Sequence, residues 1–412
     1  MKNIKAGLLG RKLGHSYSKI IHSFLAPYSY EMFECEENEV ESFIKNGPFD
    51  AINVTVPYKK TVIPYLDELS DKAKKLGAVN TVVRRKDGTL YGDNTDFYGF
   101  SYMLDLAKTD VSGKKVLVLG AGGASATVCA VLSERGAGEV TVFGSRDNTL
   151  ENVMRCKDAE IIVNATPVGM YPDCDGCPID LSLFEDCKCV LDIVYNPART
   201  TLICAAEKRN IKTATGLSML VAQAKRACEI FTGSEIDDSK IPEITDKIEK
   251  MQENIVLIGM PGCGKSTIGR IAAERLNRTL ADTDEEIVKL AGKDIPSIFA
   301  QDGEDVFRAY ESRAIAALGK LSGAVIATGG GAVKREENYL PLHRNGKIVF
   351  LDRDIDSLDT KGRPLSQRDG VEKLYSERIG LYRAFADVTV KVSDDAEETY
   401  ENLINALGMK GT

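Results

Sequence analysis

Gly259-Met260-Pro261-Gly262-Cys263-Gly264-Lys265-Ser266-Thr267 follows the β-branched run Ile255-Val256-Leu257-Ile258 and precedes a helical pattern from Ile268 to Leu276. Strand, glycine turn and helix in that order, with G-x-x-x-x-G-K-S at the joint, describe a phosphate-binding loop. The glycines let backbone N–H groups converge on phosphate oxygens without a Cβ in the way, and the helix N-terminus favours the anion. Lys265 can reach the β- and γ-phosphates of a nucleotide, and Ser266 can offer its hydroxyl to Mg²⁺. Gly262, Cys263, Gly264, Lys265, Ser266 and Thr267 are therefore the candidate nucleotide-binding residues. Such a loop normally follows the first strand of its domain, so a new domain begins near Asn254. The residues before it need their own explanation.

The chain has 412 residues, enough for two or three domains that each bury a full core. Its net charge of −8 argues against a nucleic-acid or anionic-membrane surface. No apolar run approaches a membrane span, and Met1-Lys2-Asn3-Ile4-Lys5 leads into a strand pattern rather than a signal-peptide core, so a cytoplasmic location is expected. The ten cysteines then read as reduced thiols. Cys174, Cys177, Cys187 and Cys189 have a spacing that could hold zinc or an iron–sulfur cluster. However, Cys189 opens an apolar strand and the other three lie in a Pro/Asp/Gly loop, which favours incidental thiols. The sequence carries no signal for an oligomeric state.

Before the phosphate loop, short apolar strands alternate with helices. Ala6–Gly10 predicts a strand, and Ser16–Leu25 a helix with Ser16 near its cap. Ala51–Val56 predicts a strand that Pro57 ends, and Pro57 suits the first turn of a helix. Strands at Val79–Arg84 and Thr89–Gly92 flank a hairpin turn at Lys86-Asp87-Gly88, and a helix follows from Asp96 to Ala107. Lys115–Leu119 is a further strand, joined to a helix by Gly120-Ala121-Gly122-Gly123-Ala124-Ser125. This arrangement lays a dinucleotide pyrophosphate on a helix N-terminus. The next strand, Glu139–Phe143, ends in Gly144-Ser145-Arg146, where NAD enzymes typically carry an acid; a cation there favours the 2′-phosphate of NADP. Strands at Glu160–Asn164 and Val190–Val194 and a helix from Leu217 to Phe231 complete this part. Residues 232–253 are polar and read as a linker ending in a short amphipathic helix.

These motifs, taken in order, resemble shikimate dehydrogenase over residues 1 to about 231. The matching segments are Gly7-Leu-Leu-Gly10 with His15-Ser16-Tyr17-Ser18, Asn53-Val-Thr55-Val-Pro57-Tyr-Lys59, Ala78-Val-Asn80-Thr, Gly92-Asp-Asn94-Thr-Asp96, Asn164-Ala-Thr166-Pro-Val-Gly169-Met170, Asp192-x-x-Tyr195 and Gly216-Leu-x-Met219-Leu-x-x-Gln223. The resemblance implies that Lys59 and Asp96 are catalytic and that Ser16 and Ser18 hold the substrate carboxylate. It places Thr55, Asn80, Tyr195 and Gln223 around the substrate ring. It also implies a cofactor site made of Gly120, Ala121, Gly122, Gly123, Ala124, Ser145, Arg146, Thr166, Gly216 and Met219. A lysine poised by an aspartate is chemically apt, because reducing a ketone needs a proton donor beside the oxygen. The family often has Asn-Arg-Thr after the second cofactor strand, whereas this chain has Ser145-Arg146-Asp147.

From Asn254 onward the chain is similar to shikimate kinase. Asp282-Thr-Asp284, Phe307-Arg308-x-x-Glu311, Ala327-Thr-Gly329-Gly330-Gly331, Arg363-Pro364-Leu365 and Glu377-Arg378-x-x-Leu381-Tyr382 carry the likeness. It implies that Asp282, with Ser266, lies near the metal and that Asp284 accepts a hydrogen bond from the substrate hydroxyl. Arg308, Arg378, Gly330 and Gly331 would bind substrate, the two arginines gripping a carboxylate bidentately as lysine could not. Arg363 would close over the phosphates on a lid. The two resemblances together imply an α/β protein with a substrate-binding domain at 1–108, a Rossmann-like NADP domain at 109–231 whose last helix can return to the first, a linker at 232–253, and a P-loop kinase domain of α/β/α type at 254–412. The expected cofactors are NADP(H), ATP and Mg²⁺, and the expected substrates are 3-dehydroshikimate and shikimate, with neither nucleic acid nor membrane as partner. The alternatives are a first half that acts on quinate or uses NAD, and a half that only senses shikimate.

Overall fold

A computed structural model describes residues 4–14, 16–144, 146, 149–358 and 370–409. His15, Ser145 and the Arg363 segment lie outside the described residues. The chain forms two units, Met1–Asn196 with Leu202–Lys247, and Pro197–Thr201 with Ile248–Thr412.

The first unit holds two sheets. In the first, β1 (Lys5–Gly10), β2 (Ser29–Glu34), β3 (Ala51–Val54), β4 (Glu68–Leu69), β5 (Thr81–Arg84) and β6 (Leu90–Asp93) lie in the order β2-β1-β3-β5-β6-β4. β1 is parallel to β2 and β3, and β5 runs antiparallel to β3 and β6. Helices α1 (Ser18–Leu25), α2 (Val40–Asn46), α3 (Asp71–Leu76) and α4 (Asp96–Leu106) connect or follow these strands. The second sheet is wholly parallel: β7 (Lys115–Leu119), β8 (Glu139–Phe143), β9 (Ile161–Asn164), β10 (Cys189–Asp192) and β11 (Lys212–Thr215), in the order β11-β10-β9-β7-β8. Its helices are α5 (Gly123–Glu134), α6 (Leu150–Arg155), α7 (Thr201–Lys208) and α8 (Gly216–Thr232). Central strands read as unbroken apolar runs because helices cover both faces. Thus Val116 and Val118 face one core cluster while Leu117 and Leu119 face another. Helix α8 packs on α4 and α1, and its Ala227 and Phe231 join Ala6, Leu8 and Tyr30 in the core beneath the first sheet.

The second unit is built on one parallel sheet, β12 (Asn254–Ile258), β13 (Leu280–Asp282), β14 (Val325–Ala327), β15 (Gly346–Asp352) and β16 (Val388–Lys391), in the order β13-β14-β12-β15-β16. Around it run α9 (Lys240–Gln252, which spans the division between the units), α10 (Lys265–Arg275), α11 (Thr283–Ala291), α12 (Ile295–Gln301), α13 (Glu304–Leu318), α14 (Tyr339–Arg344), α15 (Val371–Phe385) and α16 (Ala396–Ala406). The alternation of β12 sends Ile255 and Leu257 to one core and Val256 and Ile258 to the other.

Two local expectations are corrected. Ser16 lies outside α1, whose cap position is Tyr17, although its hydroxyl still accepts from the Ser18 N–H at 3.3 Å. Pro57 opens no helix: β3 ends at Val54, the Val56–Pro57 bond is cis, and turns run to a 3₁₀ segment at Ile63–Tyr65. Proline's fixed φ suits a turn as well as a first helical residue, so the residue by itself does not choose between them. Among the described residues no helix is long and apolar enough to cross a membrane.

Candidate active sites

Motif residues of the first sheet converge at the C-terminal end of β3 and the start of α4. The turn after β3 carries Lys59, and the first residue of α4 is Asp96; Lys59 Nζ donates to Asp96 Oδ2 at 2.6 Å. Their side chains are 27% and 14% exposed, so the pair borders solvent without being washed by it. The Lys59 carbonyl accepts from the Val79 N–H at 2.7 Å, which ties the lysine to the segment bearing Asn80. Asn80 is buried, with Oδ1 accepting from the Thr95 N–H at 2.7 Å and Nδ2 donating to Thr95 Oγ1 at 3.0 Å and Gln223 Oε1 at 3.4 Å. Gln223 reaches this point because α8 lies against α4 at Gly99, where any Cβ would come within 2.6 Å of the Met219 carbonyl oxygen. Ser16 and Ser18 share a hydroxyl hydrogen bond of 3.1 Å at the head of α1. The Tyr17 and Tyr195 rings meet edge to face at 5.5 Å. The Thr55 N–H donates to the Leu9 carbonyl, and its methyl closes on Gly10.

The turn between β7 and α5 suits a pyrophosphate. Gly120 has φ +111°, and a Cβ there would strike the Ala165 carbonyl. Cβ atoms on Gly122 and Gly123 would meet open space, and no side chain caps the helix, so the first N–H groups of α5 face outward. Ala121 and Ala124 belong to the same turn and first helical residues, and Arg146 is exposed beyond β8. Thr166 is held by Asn164, whose Oδ1 accepts from its N–H at 3.0 Å and its hydroxyl at 2.6 Å; buried Asp192 accepts from Asn164 Nδ2 at 3.0 Å. Gly216 starts α8 directly against the Ile193 carbonyl, leaving no room for a side chain.

In the second unit a cavity of ≈ 840 Å³ is lined by the phosphate loop, Asp282, Asp284, Arg308, Glu311, Gly329–Gly331 and Arg378. Gly262 and Gly264 have φ +86° and +103°, the left-handed backbone that frees the N–H groups at the α10 terminus. Lys265 Nζ donates to the Gly259 and Met260 carbonyls, both at 2.9 Å. The Cys263 side chain is buried in the core, so only its backbone can serve a nucleotide. Ser266 Oγ donates to Asp282 Oδ2 at 3.0 Å, a hydroxyl and carboxylate of the kind that hold Mg²⁺ beside phosphates. Arg308 Nη1 donates to Glu311 Oε2 at 2.7 Å, while the Nε atoms of Arg308 and Arg378 are buried without a partner. Arg378 Nη1 and the Tyr382 hydroxyl both donate to the Gly330 carbonyl, at 3.1 and 2.5 Å. Two buried guanidiniums with unspent donors fit a carboxylate ligand.

Burial pushes the Asp284 carboxyl up to about 6, and the charges of Asp282 and Glu311 add to that, against the opposing pull of Lys265 and Arg308. Burial likewise raises Glu311. Sequence reading gave Glu311 no role, yet its i, i+3 spacing from Arg308 on α13 already put both on one helix face. Thr283, whose hydroxyl accepts from the Gly329 N–H at 2.8 Å, had no signal beyond standing between two aspartates. Cys174, Cys177, Cys187 and Cys189 do not converge as a ligand set among the described residues. Cys177 and Cys187 have backbone carbonyl partners instead, and Cys189 accepts from the Thr109 hydroxyl.

Comparison with known proteins follows the same division. Residues 8–82 match the shikimate dehydrogenase substrate-binding domain, and residues 261–408 match shikimate kinase. A shikimate dehydrogenase (NADP(+)) of Clostridium perfringens is 37% identical over 268 residues, covering 59% of this chain and 97% of that protein. The crystal structure of shikimate dehydrogenase 1 from Peptoclostridium difficile is 34% identical with a TM-score of 0.54, over 59% of this chain and 96% of the other. That of the Thermus thermophilus enzyme in complex with NADP(H) and shikimate is 30% identical with a TM-score of 0.53, over 59% and 99%. The chain therefore belongs to the shikimate dehydrogenase family and carries a shikimate kinase domain behind the dehydrogenase.

Proposed function

We propose that this bifunctional enzyme, a shikimate dehydrogenase joined to a shikimate kinase, uses Lys59 with Asp96 for its first reaction and Asp284 with the arginines of the kinase cavity for its second. The first reaction reduces 3-dehydroshikimate to shikimate, and the second phosphorylates the 3-hydroxyl of shikimate. NADPH supplies the hydride when bound, and ATP with Mg²⁺ supplies the phosphoryl group and neutralising charge. The chain contributes binding, orientation and proton management. Lys59 protonates the substrate oxygen during reduction and takes the proton back in the reverse direction, while Asp96 keeps the ammonium aimed. Ser16 and Ser18 hold the carboxylate, and Thr55, Asn80, Tyr195 and Gln223 orient the ring. The open turn at Gly120–Ala124 would hold the dinucleotide, with Ser145, Arg146, Thr166, Gly216 and Met219 completing its site.

In the kinase, Arg308 and Arg378 grip the carboxylate and Asp284 accepts the hydrogen bond of the attacking hydroxyl. The backbone of Gly262 to Thr267, with Lys265, would hold the phosphates, and Ser266 with Asp282 would hold the metal. Gly330 and Gly331 border the substrate, and Arg363 is assigned to the lid. The domain extents proposed are 1–108, 109–231, 232–253 and 254–412, with α8 completing the first. A cytoplasmic location without nucleic-acid or membrane partners belongs to the same reading, supported by the net charge of −8.

The observation that carries this reading is convergence: motif residues far apart in sequence meet at one place in each unit. A coupled assay with 3-dehydroshikimate, NADPH and ATP tests it. Lys59→Ala should stop NADPH oxidation and spare phosphorylation of added shikimate; Lys265→Ala should do the reverse. Loss of both activities in either variant, or of neither, contradicts the assignment.

A further inference from the structure

Asn164 and Asp192 are the last residues of β9 and β10, and they stand side by side in the parallel pairing of those strands. Open parallel sheets bind their ligands at the carboxyl ends of the strands. Here that edge holds an amide and a carboxylate that are both fully buried. A buried carboxylate persists only where donors replace the water it has lost. One oxygen, Asp192 Oδ1, accepts from Asn164 Nδ2 and from the Val194 N–H, both at 3.0 Å. The two donors lead in different directions. Asn164 turns its own Oδ1 to the Thr166 N–H and hydroxyl, and Thr166 Oγ1 accepts in turn from the Val168 N–H at 3.1 Å, so the loop after β9 is held link by link. Val194 is also held on its other side, its carbonyl accepting from the Gly216 N–H at 3.1 Å, and the next residue is Tyr195.

We propose that Asp192 is a positioning residue that sets a cofactor contact and a substrate contact from a single oxygen. Through Asn164 it fixes Thr166 against the dinucleotide, and through the Val194 N–H it fixes the segment that presents Tyr195 to the substrate. Being fully buried, Asp192 touches neither ligand. Hydride transfer needs its two reactants at a set separation, and one acceptor shared by both arms keeps that separation. The proposal rests on the reading of Thr166 as a cofactor contact and of Tyr195 as a substrate contact.

The test is Asp192→Ala, Asp192→Asn and Asn164→Ala in the full-length chain, with steady-state shikimate oxidation by NADP⁺. Asp192→Ala removes the acceptor of both arms and should raise KM for NADP⁺ and KM for shikimate about tenfold each, the scale of a lost hydrogen bond to a charged group. Asp192→Asn keeps an acceptor oxygen in the same place and should hold both values within about threefold of the parent chain. Asn164→Ala cuts the first arm alone, so KM for NADP⁺ should rise about tenfold while KM for shikimate stays within about twofold. The positioning role is overturned if Asp192→Ala moves one KM or neither, if Asp192→Asn is as impaired as Asp192→Ala, or if Asn164→Ala raises both values alike. Should Asp192→Ala fail to fold, the other two variants decide by the same values. Thr166→Val and Tyr195→Phe separate the proposal from the reading beneath it. If Thr166→Val leaves KM for NADP⁺ unchanged, or Tyr195→Phe leaves KM for shikimate unchanged, that contact reading falls and the positioning role with it; if both contacts hold while the Asp192 variants fail as above, the positioning role alone falls.

Discussion

Asp284 shows how a single residue is shaped by its surroundings. Its carboxyl titrates near 6 because burial beside Asp282 and Glu311 disfavours the charge that the reaction needs. Kinase kcat/KM should therefore fall as pH drops through about 6, and a pH–rate profile checks it. Stability responds in the opposite sense. A carboxyl whose pKa is raised on folding contributes stability fully below its ordinary value of 3.8, and that contribution is lost as pH rises through about 6. Asp284→Asn should abolish phosphorylation yet raise the melting temperature at pH 7 to 8, with little change at pH 4. A variant less stable at pH 8 would contradict the burial argument. For the dehydrogenase, Lys59→Met should lower kcat by about 10²- to 10⁴-fold, the range that a positioned proton donor supplies. Binding of NADPH, followed by its fluorescence, should persist. Of these residues, Lys59, Asp96, Asp284, Arg308 and Arg378 were legible through their ordered motifs. Thr283 was not, because a threonine at a helix start is ordinary and only its partner, the Gly329 N–H, gives it meaning.

At the level of elements, glycines mark where backbone must approach backbone or a charged group. A Cβ on Gly331 would overlap the Arg308 guanidinium. Gly331→Ala should therefore raise KM for shikimate in the kinase reaction by about tenfold or more, as expected for a displaced bidentate cation, with KM for ATP nearly unchanged. Gly216 offers a harsher case, since its Cβ would run into the Ile193 carbonyl at the start of α8. That helix carries Gln223 to Asn80, so Gly216→Ala should reduce both thermal stability and dehydrogenase activity. Most elements were readable because each strand or helix rests on periodicity within a few residues. The errors fell where a local cue has two outcomes: Pro57 could open a helix or take part in a turn, and the chain turns there.

Across the whole molecule, the residues proposed for each reaction fall, among the described residues, within one unit: Lys59, Asp96 and Gln223 in the first, and Asp284, Arg308 and Arg378 in the second. Labelled shikimate made by the first unit should then be diluted fully by unlabelled shikimate before phosphorylation, as measured by the label in the product. Product label above the level of the mixed pool would reveal direct transfer. Covalent joining still sets a fixed ratio of the two activities in every molecule.

The sequence by itself determined the phosphate loop, the glycine turn after β7, the order of the motifs and hence the two chemistries, since these depend on φ preferences and side-chain types within a short window. Only the tertiary structure decided that Lys59 meets Asp96 across 37 positions and that Gln223 returns across 143 positions to Asn80. Those meetings follow from sheet order and helix packing. Both are set by burial summed over the whole chain rather than by any residue's neighbours.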